Sequence, residues 1–390
     1  MTVFLVVTHG KGSMDLYSLR LSRYLRVPTL HTDIYQKVSE QFGRSVVSSS
    51  MFRNTLLVIN FLGKLNGMEG IPHLPNHHLG RFGYFLKKPF IITVHDVIRY
   101  LDIKNKNSTP PLIHKPSLND SFWLNLDFKG STKAEKIIVP SNHTKMDLIK
   151  HLSVPEEKIR VIYHGVDEDF KPTYGRRPCP EPYILYVGSE HPRKNLETLL
   201  KAFHMLKRDP KFKHLKLVKV GRIGGKEENF REKTLRLIET LGLEKEVIFI
   251  SWISSAKELA SLYTQAELFA FPSVYEGFGW PPLEAMACGC PVVSSNVTAM
   301  PEILGSAAVY VDPYDVEGWC QAMVEILTDD GLRKSLSIRG MERAKLFSWK
   351  KAAEETLKVY KEVDEEFEDK IEEVEISVPA LKEKRQINRA

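Results

Sequence analysis

The sequence predicts an α/β protein built from two doubly wound parallel sheets, and three observations carry that prediction. The chain has 390 residues, more than one core usually serves and enough for two domains of roughly 150 to 200 residues each. Short apolar runs of strand length alternate with runs of helical period through both halves, the pattern of parallel strands covered by helices. The alternation breaks once, in a charged, proline-rich stretch from Lys171 to Pro182 that reads as a connection between domains.

Taken in order, residues 2–7 form an unbroken apolar run and read as a first buried strand, followed by a helix at 14–25. Further strands are expected at 55–61, 90–94, 136–140 and 160–163, with a helix at 144–152. The stretch 67–83, with His73, His77 and His78 among prolines and glycines, and the polar stretch 103–120 read as loops. These elements make a first domain over 1–172, with the linker at 173–182.

The second domain, 183–347, is expected to carry strands at 183–187, 215–220, 247–250, 268–271, 291–294 and 308–311. Helices are expected at 195–206, within 228–241, at 255–265, from Pro281, and at 315–328 and 332–345. Ser348 is a natural N-cap for an amphipathic helix over 349–363 that would cross back to the first domain. The remainder, 364–390, turns acidic and then basic with little apolar patterning, as a frayed or disordered tail does.

Composition narrows the function classes. At 43% hydrophobic and 27% charged the chain is an ordinary globular one, and no apolar run approaches the length of a membrane span. The first eight residues lack the basic start and cleavage site of a signal peptide, and the cysteines Cys179, Cys288, Cys290 and Cys320 show neither metal-ligand nor disulfide spacing. A reducing cytoplasm fits. The net charge is +6, but residues 1–166 hold 22 Lys/Arg against 12 Asp/Glu, which suggests an anionic partner for the first domain. Without aromatic RNA-binding motifs, nucleic acid is the weaker inference; an anionic membrane surface or lipid-phosphate acceptor fits at least as well.

The stretch from Ser273 to Gly289 concentrates the chemistry. Glu276 and Glu284 flank a loop containing Gly277, Phe278 and Gly279, between a strand-length run and the helix-initiating pair Pro281-Pro282. A strand-to-helix loop of an open α/β sheet is where ligands bind, because helix N–H groups and the positive dipole end face the crevice. The glycines let backbone approach a ligand, and two glutamates offer acceptors to sugar or ribose hydroxyls. The same logic marks Gly188 and Arg193-Lys194, which follow another strand and precede a helix, so that cations and amides can converge on a diphosphate. In the first domain Thr8-His9-Gly10-Lys11-Gly12 lies between strand and helix, but it fails as a dinucleotide fingerprint because Asp15 occupies the third glycine position. His95 ends a strand at the crevice. The other histidines lack metal-ligand spacing, and no metal site is expected.

The Glu276–Glu284 pair, the run from Tyr186 to Phe203 with its Pro-Arg-Lys-Asn form, His164-Gly165-Val166-Asp167, and Pro291-Val-Val-Ser-Ser followed by Met300-Pro-Glu-Ile occur in the order seen in one family. Over nearly all of the chain to about residue 360 the sequence resembles the retaining glycosyltransferases of family 4, glycosyl transferases group 1, of the GT-B fold, and more specifically mannosyltransferase-like members. The resemblance implies two Rossmann-like domains facing a cleft and transfer of a hexose from a nucleoside diphosphate sugar to an acceptor hydroxyl. The anomeric configuration would be retained through a same-face route in which the leaving diphosphate accepts the acceptor's proton, with no metal or other cofactor.

On that resemblance Glu276 would bind the sugar beside the amides of Gly277 to Gly279, Glu284 the ribose, Arg193 and Lys194 the diphosphate, and His95 the sugar, with Gly10, Gly12 and Gly188 in the donor loops. Trp252 falls where the family's loop packs on the donor base, and either base stacking or core packing suits it. Ser189 departs from the arginine that many members place after the strand glycine; Arg193 would supply that charge. GDP-mannose is the preferred donor, with a UDP-sugar or a non-catalytic binding protein as alternatives, and a glycan or lipid-linked molecule as acceptor.

Overall fold

The computed structural model describes residues 3–9, 12–33, 49–104, 111–222 and 228–366. Two six-stranded sheets, parallel throughout, form the frame. The first has strand order β2-β1-β3-β4-β5-β6 and the second β12-β11-β10-β7-β8-β9. In the first sheet these strands are β1 (Val3–Thr8), β2 (Thr29–Thr32), β3 (Ile71–Leu74), β4 (Ile91–Thr93), β5 (Lys136–Val139) and β6 (Ile159–Val161). In the second they are β7 (Tyr183–Val187), β8 (Lys216–Val220), β9 (Val247–Ile250), β10 (Leu268–Phe271), β11 (Val292–Ser295) and β12 (Ala308–Val311).

Helices cover both faces of each sheet, which is why the strands read as continuous apolar runs rather than alternating ones. Phe4 and Val6 pack on one face of the first sheet with Phe61, Leu65 and Phe128, while Val3, Leu5 and Val7 pack on the other with Tyr17 and Leu21. That second face is completed by the helix 349–366, which contributes Trp349, Val359, Tyr360 and Val363. The carboxyl-terminal helix thus returns from the second domain to the first. Its start is capped by Ser348, whose hydroxyl accepts from the Lys351 amide at 3.1 Å. It is fixed inside the core by Tyr360, whose hydroxyl pairs with His73 Nδ1 at 2.7 Å, while His73 Nε2 pairs with Thr93 Oγ1 at 2.8 Å.

The structure revises the expectations for the first domain. The region 55–61 is not a strand but part of the helix Ser49–Gly67; Val58, Phe61, Leu62 and Leu65 fall on one helical face against the core. The stretch 67–83 is not one loop, since it supplies β3 and the short helix His77–Tyr84. A strand at 29–32 and the helix Leu118–Ser131, the latter opening within the expected loop 103–120, were not anticipated. Phe170, just before the expected linker, packs in the second core beside Tyr263. Residues 364–366 continue the last helix; the rest of the expected tail lies outside the described residues, as does Gly10. Among the described residues no helix is long and apolar enough to cross a membrane.

The two domains meet through specific polar contacts. Ser141 Oγ donates to the Gly277 carbonyl at 2.7 Å, and the Arg193 amide donates to the Leu112 carbonyl at 2.9 Å. Tyr275, from the second domain, is buried in the first domain's core and its hydroxyl donates to Asp147. Glu302 reaches the amino end of the helix Asn142–Leu152, accepting from the amides of Asn142 at 2.7 Å and His143 at 3.2 Å and from Tyr163 Oη at 3.0 Å.

Candidate active site

In the second sheet the strand order reverses between β7 and β10, which are neighbours although they are far apart in sequence. The loops leaving their carboxyl ends, 188–195 and 272–279, therefore stand side by side at a topological switch point, the usual ligand position in such sheets. The Val274 amide donates to the Arg193 carbonyl at 2.7 Å, which ties the loops together. Asn195 adopts φ 51 between the turn Pro192–Lys194 and the helix Leu196–Leu206, and its side-chain Nδ2 donates to the Pro272 carbonyl at 3.2 Å.

At the centre of this junction is Glu276. Its Oε1 accepts from Arg193 Nη1 at 2.7 Å, Lys194 Nζ at 2.5 Å and Ser273 Oγ at 2.6 Å, and its amide donates to Thr298 Oγ1 at 3.1 Å. Burial alone would raise the Glu276 carboxyl, but the two cations hold it below the usual range. Burial dominates at Lys194, pushing its ammonium down to about 8 despite the carboxylate beside it. Ser273 and Thr298 were not expected from the sequence; Ser273 lies three residues from Glu276, whereas Thr298 arrives from the distant loop after β11 and left no local signal.

Gly277 faces the first domain. A β-carbon there would come within 2.0 Å of the His95 carbonyl oxygen, so the close approach of the domains requires glycine at this position. Gly279 adopts φ +106 and starts the helix Trp280–Ala287, a conformation that glycine accepts and other residues resist. Phe278 is buried in the second core, 4.9 Å from the His164 ring, so its side chain supports the loop rather than lining an open surface. Glu284 falls in the second turn of its helix; it is buried, takes a 3.3 Å hydrogen bond from Tyr263 Oη, and is raised by burial to about 7.

His95 is buried opposite the Gly277 loop, with Nε2 2.8 Å from the Pro75 carbonyl. That contact requires the proton on Nε2 and leaves Nδ1 as an acceptor. Burial lowers its pKa to about 4, so the ring is neutral near pH 7. Its ring meets Tyr17 edge-on at 4.8 Å and His164 at 5.2 Å. Gly12 sits before the helix Ser13–Tyr24 with its amide on Asp15 Oδ2 at 3.2 Å, and the Gly188 amide extends the sheet to the Val220 carbonyl at 2.9 Å. Trp252 is 60% exposed with the Arg222 guanidinium 4.8 Å from its ring, so core packing is not its role. Among the described residues no group of three or more His, Cys, Asp or Glu side chains could hold a metal ion.

The site brings together a carboxylate and two cations, with a neutral imidazole facing them from the first domain. The pH response follows from Lys194 and from Glu284 in the adjoining helix. Glu284 gains its charge, and with it full acceptor capacity, as pH rises through about 7, and Lys194 loses its charge as pH rises through about 8. Activity is expected to rise through the first value and fall through the second, giving a narrow bell in the pH dependence of kcat/KM. A profile flat from pH 6 to pH 9 would contradict both assignments.

Comparison with known proteins supports the same picture. Two family models match adjoining parts of the chain, Glycosyltransferase Family 4 over residues 70–170 and Glycosyl transferases group 1 over residues 168–343. The chain is 32% identical over 237 residues to O-antigen chain mannosyltransferase B of Escherichia coli, a match covering 58% of this chain and 61% of that protein's length. It is 28% identical to the uncharacterized glycosyltransferase MJ1178 of Methanocaldococcus jannaschii over 91% of this chain and 95% of the other. Among solved structures, sucrose-phosphate synthase of Thermosynechococcus elongatus superposes with a TM-score of 0.72 at 21% identity, covering 93% of this chain and 98% of the other, which shows a shared fold. With its two facing parallel sheets and both family models in sequence, the chain belongs to the family 4 glycosyltransferases, glycosyl transferases group 1, of the GT-B fold.

Proposed function

We propose that the protein transfers a hexose, best assigned as mannose from GDP-mannose, to an acceptor hydroxyl with retention of anomeric configuration. The observation that carries this reading is the convergence of Arg193 and Lys194 on one buried point at the switch point of the second sheet, beside Glu276. Two cations there suit a diphosphate whose charge grows as the bond to the sugar breaks. At an effective dielectric near 20, one such contact at about 4 Å is worth roughly 4 kcal/mol before desolvation. The mannosyl assignment is supported by the likeness to an O-antigen chain mannosyltransferase and by the Pro192-Arg193-Lys194-Asn195 form of the donor loop.

In this reading Arg193 and Lys194 stabilise the departing diphosphate, so that charge neutralisation is assigned to side chains rather than to a metal. Glu276 and the amides after it take sugar hydroxyls, Glu284 takes the ribose hydroxyls, and neutral His95 offers Nδ1 to the sugar from the first domain. The acceptor hydroxyl attacks on the face the diphosphate leaves, and a diphosphate oxygen takes its proton. Closure of the two domains excludes water that would otherwise hydrolyse the donor. The basic excess of the first domain, 22 Lys/Arg against 12 Asp/Glu over residues 1–166, favours an acceptor presented on an anionic membrane surface, such as a lipid-linked glycan.

The test is a comparison of GDP and UDP by thermal shift, followed by transfer from GDP-mannose with the product's anomeric configuration read by NMR. A ligand at a hundredfold excess over its Kd stabilises the folded state by about 2.7 kcal/mol. A shift with GDP and an α-mannoside product are expected; a shift with UDP alone moves the donor to a UDP-sugar, and no shift with either nucleotide removes the donor reading.

A further inference from the structure

Arg193 Nη1 and Lys194 Nζ both engage Glu276 in this arrangement, Nη1 also reaching the Tyr275 carbonyl at 3.2 Å. Both cations converge on the same oxygen, Oε1, at 2.7 and 2.5 Å, and Ser273 Oγ completes the set at 2.6 Å. All three ionic side chains are largely withdrawn from water, at 16%, 9% and 11% side-chain exposure for Arg193, Lys194 and Glu276. A diphosphate bound by these two cations needs the positions this carboxylate oxygen holds. Like charges at such separations in a dry site repel strongly, so carboxylate and diphosphate do not share the pair.

We propose that Glu276 is a built-in competitor of the donor's diphosphate: the nucleotide displaces the carboxylate from Arg193 and Lys194, and the returning carboxylate expels the nucleoside diphosphate after transfer. This rests on the donor reading given above and adds to it a role in product release. The exchange is favourable on entry because the diphosphate offers more charge and more acceptor oxygens than one carboxylate. The carboxylate keeps a holder during the exchange in Ser273 Oγ, which lies on its own loop, while Thr298 Oγ1, from the loop after β11, accepts from the Glu276 backbone amide. Displaced from the cations, the Glu276 side chain is free to turn to the sugar hydroxyls, so one carboxylate serves the sugar while the donor is bound and the cations once the sugar has gone.

The sign of the mutant effect separates this from a simple contact role. If Glu276 only contributed to donor binding, removing its charge would weaken every nucleotide ligand. If it competes, Glu276→Gln tightens GDP or UDP by about tenfold, the scale of one charge-assisted hydrogen bond, and slows their dissociation, while transfer falls.

The experiment is calorimetric titration of wild type and Glu276→Gln with GDP, UDP, guanosine, uridine and inorganic pyrophosphate, with stopped-flow dissociation of the tighter nucleoside diphosphate. Tighter diphosphate and pyrophosphate binding with unchanged nucleoside binding is the expected result. Equal or weaker diphosphate binding in the variant, with wild type binding normally, overturns the competition and leaves the donor reading standing; tightening of the nucleosides to the same degree overturns it too. Absence of binding to every one of these ligands overturns the inference and the donor reading together. Should Glu276→Gln lose its cooperative melt, Glu276→Asp carries the test, since the charge is kept but drawn back by one methylene, and equal or weaker diphosphate binding again overturns the proposal.

Discussion

Replacing Gly277 by alanine lowers transfer by on the order of 10²-fold, the scale of a misplacement of about 1 Å between reacting groups, while both domains remain folded. The expectation follows from one close approach. The new β-carbon would lie 2.0 Å from the His95 carbonyl oxygen and 3.0 Å from the Asp96 β-carbon, contacts that no side-chain rotation relieves because the first is to backbone. The residue does not have positive φ, so alanine suits the local chain and the clash is wholly between domains. The domains must therefore separate, which also strains the Ser141 hydrogen bond to the Gly277 carbonyl. Solution scattering should show a larger radius of gyration with an unchanged circular dichroism spectrum. A compact, fully active Gly277→Ala protein would show that transfer does not use this approach of the domains.

A still larger loss, on the order of 10²- to 10³-fold in kcat/KM, is expected for Lys194→Met, as for removal of one charge-stabilising donor in other active sites. Methionine fills a similar volume, so the loss reads charge more than packing. Lys194→Arg should not restore activity, because the ammonium sits as a point charge in a buried position over the Phe271 ring, where a planar fork does not fit. The same substitution removes the alkaline fall at about pH 8 assigned to Lys194, while the rise at about 7 from Glu284 remains. Persistence of the alkaline limb in Lys194→Met would transfer that titration to another group.

How far the sequence disclosed these features depended on where each signal lies along the chain. In the second domain β7, β9, β10 and β12 are continuous apolar runs bounded by turn residues, and the strand limits read from the sequence coincide with the structure. In the first domain the branched residues near 55–61 imitate a strand, and only the longer spacing through Phe61 and Leu65 reveals the helix. The strand β3 hid for the opposite reason. It carries Pro72 and His73 between β1 and β4, a central position where proline removes a ladder donor and a histidine needs partners. Those partners, Thr93 and Tyr360, are 20 and 287 residues away, so no local window contains them. Glu276, Arg193 and Lys194 were legible as chemistry, but their engagement with each other was not, because it depends on β7 and β10 being neighbours. The domain contacts through Glu302 and Ser141 have no local signal, because their partners lie 160 and 136 residues away.

Glu302 also changes what kind of object the helix Asn142–Leu152 is. Its first turn is completed by an acceptor from the other domain, and its own N-cap, Ser141, accepts from the Thr144 amide while donating across the gap to Gly277. Separation of the domains therefore withdraws acceptors from a helix end and lets that end fray, releasing backbone entropy of about 1 to 2 kcal/mol for each residue that loosens. That release offsets part of the cost of opening. The contact between the domains is thereby softened by local melting at its rim, and amide exchange in the first turn of this helix becomes a direct gauge of how often the domains separate.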